Sequence, residues 1–133
     1  MYLSMLSTEK KYLFRDLELI MSNVDGDFSP EEKNIIDAHC IEMHIDNNNY
    51  EIDNRQDGIL NQLQESLTEQ ERSIFFLELV GTVMADDVYP DAEKELIGKL
   101  AQILQVSETK VNEAFTIIAE MKSVYAKCAA FIK

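Results

Sequence analysis

The sequence predicts an all-α protein, a compact helical bundle of about six to seven helices, and three observations lead there. Only two prolines and four glycines interrupt 133 residues, while apolar residues make up 46% of the chain; this composition favours long helices over a turn-rich β fold. Apolar side chains recur at spacings of three and four, and helix-starting motifs precede several of these runs. No segment alternates convincingly in the manner of a strand. At this length one domain can bury a core without disulfides or metal.

The elements follow in order. Thr8 can cap a first helix, through which Tyr12, Leu13, Leu17, Ile20 and Val24 recur on one side. Asp25-Gly26 ends it, with Gly26 able to take positive φ. Ser29-Pro30-Glu31-Glu32 starts the second helix: Ser29 is the N-cap, Pro30 the first helical residue and Glu32 the reciprocal capping partner. Ile35, Ile36, Cys40, Met43 and Ile45 form its apolar side. Residues 46–57, DNNNYEIDNRQD, have no helical period and read as a polar connector. A short helix over Gly58 to Leu67 uses Ile59, Leu60, Leu63 and Leu67.

Thr68-Glu69-Gln70-Glu71 is a second capping box, opening an apolar helix through Ile74, Phe75, Leu77, Val80, Val83 and Met84. Phe75 and Phe76 are adjacent and cannot both face one core line, so one of them is expected to be exposed or to meet a partner. A break at Asp86-Asp87 precedes a helix from about Pro90 to Leu104, with Leu96, Ile97, Leu100, Ile103 and Leu104 inward. Ser107 caps the last helix, which can run to about Phe131 through Val111, Phe115, Ile118, Met121, Val124 and Tyr125.

The charge is uneven. The whole chain carries −13, but residues 16–108 hold 22 acids against 5 bases, a net of −17. Such a body repels nucleic-acid phosphates and anionic lipid and attracts cations or a basic protein surface; acidity of this kind also serves simply to keep a small helical protein soluble. No stretch approaches the roughly 20 apolar residues that span a bilayer. Lys10, Lys11 and Arg15 follow Met1 to Leu6, the reverse of a signal-peptide order. Cys40 and Cys128 show no disulfide framework. A cytoplasmic protein without membrane insertion or direct nucleic-acid binding is expected.

An internal repeat links the two acidic breaks. Sliding the chain by 61 places DGDFSPEEKNII (25–36) over DDVYPDAEKELI (86–97): Asp25 meets Asp86, Phe28 meets Tyr89, Glu32-Lys33 meets Glu93-Lys94, and Ile35-Ile36 meets Leu96-Ile97. The preceding helices align at a shift of 60, LELI (17–20) over LELV (77–80). Two related helix–corner–helix halves, about 8–45 and 68–105, are therefore expected within one domain over 1–133, joined by the connector 46–57 and followed by a C-terminal helix of about 108–131.

An apolar helix, then Asp-Gly, a variable residue, an apolar one, a Ser/Pro pair, Glu and an apolar helix resembles the TerB-like tellurite-resistance domains. VDGDFSPEEKNII carries the resemblance, and MADDVYPDAEKELIGKLAQIL carries it more loosely. The resemblance implies a compact all-helical bundle of two related halves, a bacterial stress-response or phage-defence setting, and acidic corners associated with divalent cations. The second corner departs from it, having Asp87 where the pattern has glycine, a less comfortable residue at positive φ.

Each candidate site has a plainer alternative. An EF-hand loop begun at Asp25 would need glycine where Pro30 stands and a bidentate glutamate where Ile36 stands, so that loop is excluded. A looser divalent site (calcium, magnesium or manganese) from Asp25, Asp27, Glu32, Asp86, Asp87 and Glu93 suits oxygen ligands; the same carboxylates serve equally as corner and helix-start partners of backbone amides. Cys40 and His44 share a helix face as half of a zinc site, with Cys128 or a carboxylate to complete it; alternatively Cys40 is a small core residue. No nucleophile–base constellation assembles. The expected function is a non-enzymatic acidic interaction module, docking a basic protein or holding a divalent cation. The alternative is a mimic of nucleic-acid charge that inhibits a DNA- or RNA-binding protein. A hydrolytic metalloenzyme is disfavoured by the lack of histidine at the corners.

Overall fold

The computed structural model describes residues 1–22, 30–46, 55–84 and 91–133, apart from the side chains of Glu31, Ala92 and Glu93. Among these residues there are six α-helices, one short 3-10 turn at Leu3–Met5 and no strand. The helices are α1 (Thr8–Ser22), α2 (Pro30–Met43), α3 (Gln56–Glu65), α4 (Glu69–Val83), α5 (Asp91–Ile103) and α6 (Glu108–Phe131). The chain is all-α, as its periodicity predicts.

Helix starts follow the chemistry of unpaired amides. The Thr68 hydroxyl accepts from the Glu71 amide at 3.1 Å while the Glu71 carboxylate accepts from the Thr68 amide at 2.9 Å, so the box satisfies two donors reciprocally. The Ser107 hydroxyl accepts from the Lys110 amide at 3.3 Å and starts α6. At α1 the cap belongs to Ser7 rather than Thr8: Ser7 Oγ accepts from the Lys10 amide at 3.4 Å, and Thr8 is already helical. Serine is the better N-cap of the two, and here it is the Ser7 hydroxyl that reaches the amide. Pro30 opens α2 as expected; its Ser29 cap lies outside the described residues. Helix α3 takes in Gln56 and Asp57, assigned by the sequence to the connector, and Asp57 sits favourably in its first turn.

Two helix ends match each other. His44 (φ 56°) ends α2 and Gln105 (φ 55°) ends α5, both in the left-handed region. In each case the next amide reaches back five residues, Ile45 to the Cys40 carbonyl at 3.1 Å and Val106 to the Ala101 carbonyl at 2.8 Å. This is a Schellman stop made without glycine. The two stops stand 61 positions apart, the offset that superimposes the two acidic sequence stretches.

Helix α1 packs on α2 and α3, α4 packs on α5 and α6, and α3 meets α5. Phe14 of α1 and Phe75 of α4 join the groups edge to face, with ring centroids 5.2 Å apart at 84°. The expectation for the adjacent phenylalanines is corrected here: Phe75 and Phe76 are both buried, at 0% and 2% exposure. Helix α4 is covered on more than one side, so it has more than one core line. The initial segment also joins the core, with Leu3 and Leu6 buried and its turn lying against α2 and α4.

Asp16 is a buried acid on α1, held by Arg15 at 2.8 Å and approached by Arg55 at 3.8 Å. Arg15 also donates to the Asp46 carbonyl at 3.2 Å and lies over the Tyr12 ring. These contacts tie Asp46 and Arg55 to one turn of α1. At the other end of the chain, α6 seats Ala114 and Ile118 in the core, then leaves it: every residue from Ser123 to Lys133 is exposed.

Candidate functional site

Two glutamates stand in otherwise apolar helix faces. Glu18 of α1 is 3% exposed and Glu78 of α4 is 5% exposed. Burying a carboxylate is costly unless it is paired or hydrogen-bonded, and each has found a different partner. Glu18 Oε2 accepts from His39 Nδ1 of α2 at 2.7 Å. Glu78 Oε1 accepts from the Tyr2 amide at 2.7 Å and lies 2.9 Å from the Met1 α-ammonium. Glu42, half-exposed on α2, takes the same ammonium at 3.0 Å and the Leu3 amide at 3.2 Å. An acid-lined seam of α1, α2 and α4 is thus closed from outside by the initial residues.

The electrostatics follow from burial. Desolvation pushes the Glu18 carboxyl above its usual range, only partly countered by His39 and reinforced by the nearby charge of Glu78. Burial alone would lower His39, but the Glu18 hydrogen bond and the charges of Glu18, Glu78 and Glu42 raise it instead. The pair therefore holds its proton tightly. Glu18 Oε1 has no hydrogen-bond partner among the described residues.

Outside this seam lies a cleft of about 330 Å³, near the lower end of small-ligand pockets, ~300–1,000 Å³. Its walls are Ile35 of α2 and Ile118, Met121 and Tyr125 of α6, and its floor carries Glu78 and His39 beside Met1, whose ammonium is paired with Glu78. At Gly81 α4 and α6 lie close without needing glycine: a Cβ there would stand 3.5 Å from Ile118 Cδ1, an ordinary contact. Lys122, at the rim, donates to the Met84 carbonyl at 2.7 Å and so caps the C-terminal end of α4. No family model, characterised protein or solved structure matches this chain. The site is read from its own chemistry.

The six carboxylates singled out in the sequence are not what builds this cleft. Asp25, Asp27, Asp86 and Asp87 lie outside the described residues, as does the side chain of Glu93. Glu32 is half-buried in the first turn of α2 and already engaged within the chain. Among the described residues no group of three or more His, Cys, Asp and Glu side chains is placed to hold a metal. The half-site of Cys40 and His44 comes apart as well. Cys40 is a buried core residue, His44 is exposed in its left-handed stop, and Cys128 is exposed on α6. Burial pushes the Cys40 thiol up to about 11, away from the thiolate a metal needs.

Sequence reasoning missed Glu18, Glu42, Glu78 and the role of His39. One signal was available: the match of LELI over LELV sets Glu18 over Glu78, an acid repeated inside an apolar helical run. A charge on a core face asks for a buried partner.

Proposed function

We propose that this chain is a non-enzymatic acidic interaction module of the TerB-like type that docks a basic protein. One observation carries the reading. Glu42 and Glu78 hold a protonated amine, the Met1 ammonium, at 3.0 and 2.9 Å beside an apolar-walled cleft. A partner's lysine or arginine presents the same chemistry: its cationic head would take the place of the Met1 ammonium on Glu42 and Glu78, and its aliphatic stem would lie against Ile35, Ile118 and Met121. The net −17 over residues 16–108 adds long-range attraction for such a partner.

The test is binding of an oligolysine peptide, followed by fluorescence anisotropy at increasing salt. Binding should weaken with salt, and Glu42→Gln should weaken it more than Glu95→Gln at an exposed position of α5. Equal effects of the two substitutions would show a diffuse acidic surface without a docking cleft, and no binding at low salt would remove the reading. A divalent cation at the corners is the second reading, favoured by the repeated carboxylates Asp25, Asp27 and Glu32 and Asp86, Asp87 and Glu93. Calorimetric titration of Ca²⁺, Mg²⁺ and Mn²⁺ tests it separately, with Asp25→Asn and Asp86→Asn each expected to weaken the heat signal.

A further inference from the structure

Helix α6 runs out of the bundle with its apolar residues uncovered. Val124 is 56% exposed, Tyr125 67%, Phe131 89% and Ile132 81%, and Ile117 is 44% exposed further back. Water-facing apolar side chains on consecutive helical turns mark an interaction surface. Their spacing is informative. Ile117, Val124, Cys128 and Phe131 are exposed and Met121 between them is half-buried against the core; the five follow one another by four, three, four and three, which places them within an arc of about 80° at 100° per residue. That is the a/d spacing of a coiled coil, kept over two heptads. The face that enters the core, through Ala114 and Ile118, is displaced to one side of this seam.

Charge selects the partner and its direction. Along one flank of the seam, Glu113, Glu120 and Lys127 recur every seven residues; the other flank carries Tyr125 and Ile132. In a parallel pair, residues of the first flank meet residues of the second, so Glu120 would face Tyr125 and Lys127 would face Ile132. In an antiparallel pair the first flank meets itself. The register that opposes Ile117 with Cys128 and Met121 with Val124 also opposes Glu120 with Lys127, twice over. The wider charge pattern agrees: after Glu120 the helix holds Lys122 and Lys127 and no acid, so its end approaches an acidic body without repulsion.

We propose that α6 is a homodimerisation helix, in which two copies of this chain pair antiparallel along Ile117, Met121, Val124, Cys128 and Phe131. The projecting end of each copy lies along the partner's shallow α6 groove, which is lined by Asn112, Glu113, Thr116, Ile117 and Glu120. The two bundles sit at opposite ends of the pair, which keeps their acidic surfaces apart. Two Glu120–Lys127 pairs flank the apolar seam.

Light scattering on the reduced protein over a range of concentrations tests this. The mass should rise from 15.3 kDa towards twice that value. Glu120→Lys and Lys127→Glu should each weaken dimerisation by about tenfold, since each replaces two attractive flank pairs with two repulsive ones. Combining the two substitutions should restore it. A constant mass of 15.3 kDa, or single substitutions without effect, or a double substitution that fails to restore pairing, overturns the proposal. Oxidation of the unmodified protein is an independent readout, since Cys40 is buried and only Cys128 is exposed. The antiparallel register holds the two Cys128 side chains apart, so efficient Cys128–Cys128 cross-linking would mean a parallel pair and would also overturn it.

Discussion

Nδ1 of His39 lies 2.7 Å from Oε2 of Glu18, and the pair is enclosed where the carboxylate is only 3% exposed. Two helices of the bundle, α1 and α2, are joined by one proton. Both groups titrate above their ordinary values, Glu18 chiefly through desolvation and His39 because its acidic neighbours outweigh its burial.

Stability should therefore fall as pH rises. Native His39 binds its proton more tightly than the unfolded chain does, so the unfolded state holds fewer protons and the slope of stability against pH is negative. The His39 contribution is intact below the ordinary histidine value of about 6.5 and disappears as pH climbs through the raised native value. Glu18, also raised, and the Met1 ammonium, raised by Glu78 and Glu42 against its desolvation, act with the same sign. Thermal melts between pH 6 and 9 should show a declining Tm, and His39→Gln should flatten that decline. A Tm that rises across this interval would contradict the pairing.

Both adjacent phenylalanines belong to the core, so Phe76→Ala should cost as much as Phe75→Ala. Complete burial of each ring places the expected loss at about 3–5 kcal/mol. Urea denaturation gives the comparison directly. A surface-like loss at Phe76, within about 0.5 kcal/mol, would restore the one-sided view of α4.

The two thiols should react at very different rates. Cys40 is buried and its thiol is pushed up to about 11, whereas Cys128 is exposed on the free end of α6. In protein dilute enough for α6 to be unpaired, a disulfide reagent at pH 8 should label Cys128 at least about a hundredfold faster, because burial denies Cys40 both access and its thiolate. Cys40 should appear only on addition of denaturant. Comparable rates in the native protein would place Cys40 outside the core.

Gly81→Ala should stabilise the protein. The position is inside a helix, where glycine costs about 0.5–1 kcal/mol relative to alanine, and the added Cβ would meet Ile118 Cδ1 at an ordinary contact distance of 3.5 Å. A higher urea midpoint with an unchanged slope is the expected result. A loss would show that α4 and α6 are closer in solution than this distance.

Local rules carry much of the fold, and particular residues show where they stop. Thr68 with Glu71, Pro30 and Ser107 fix helix starts through contacts within a single turn, so their spacing alone reveals them. Ser7 and Thr8 are not distinguished by spacing, and the structure shows that it is the Ser7 hydroxyl that reaches the amide. The stops at His44 and Gln105 are harder still: without glycine nothing in the sequence announces a left-handed residue, yet both return an amide to a carbonyl five positions back.

The sequence by itself determined the helices, the starts at Pro30, Thr68 and Ser107, the acidic body and the offset of about 60 between its two similar stretches. Those properties depend on neighbours three to five positions away, or on simple sums of charge. Tertiary structure decided which of the many carboxylates matter. Glu18 and Glu78 look like ordinary helix acids until helix packing removes their water; then each needs a partner, and His39 and the Met1 ammonium come from 21 and 77 positions away to supply one. Desolvation is a property of the assembled bundle, and no local spacing encodes it.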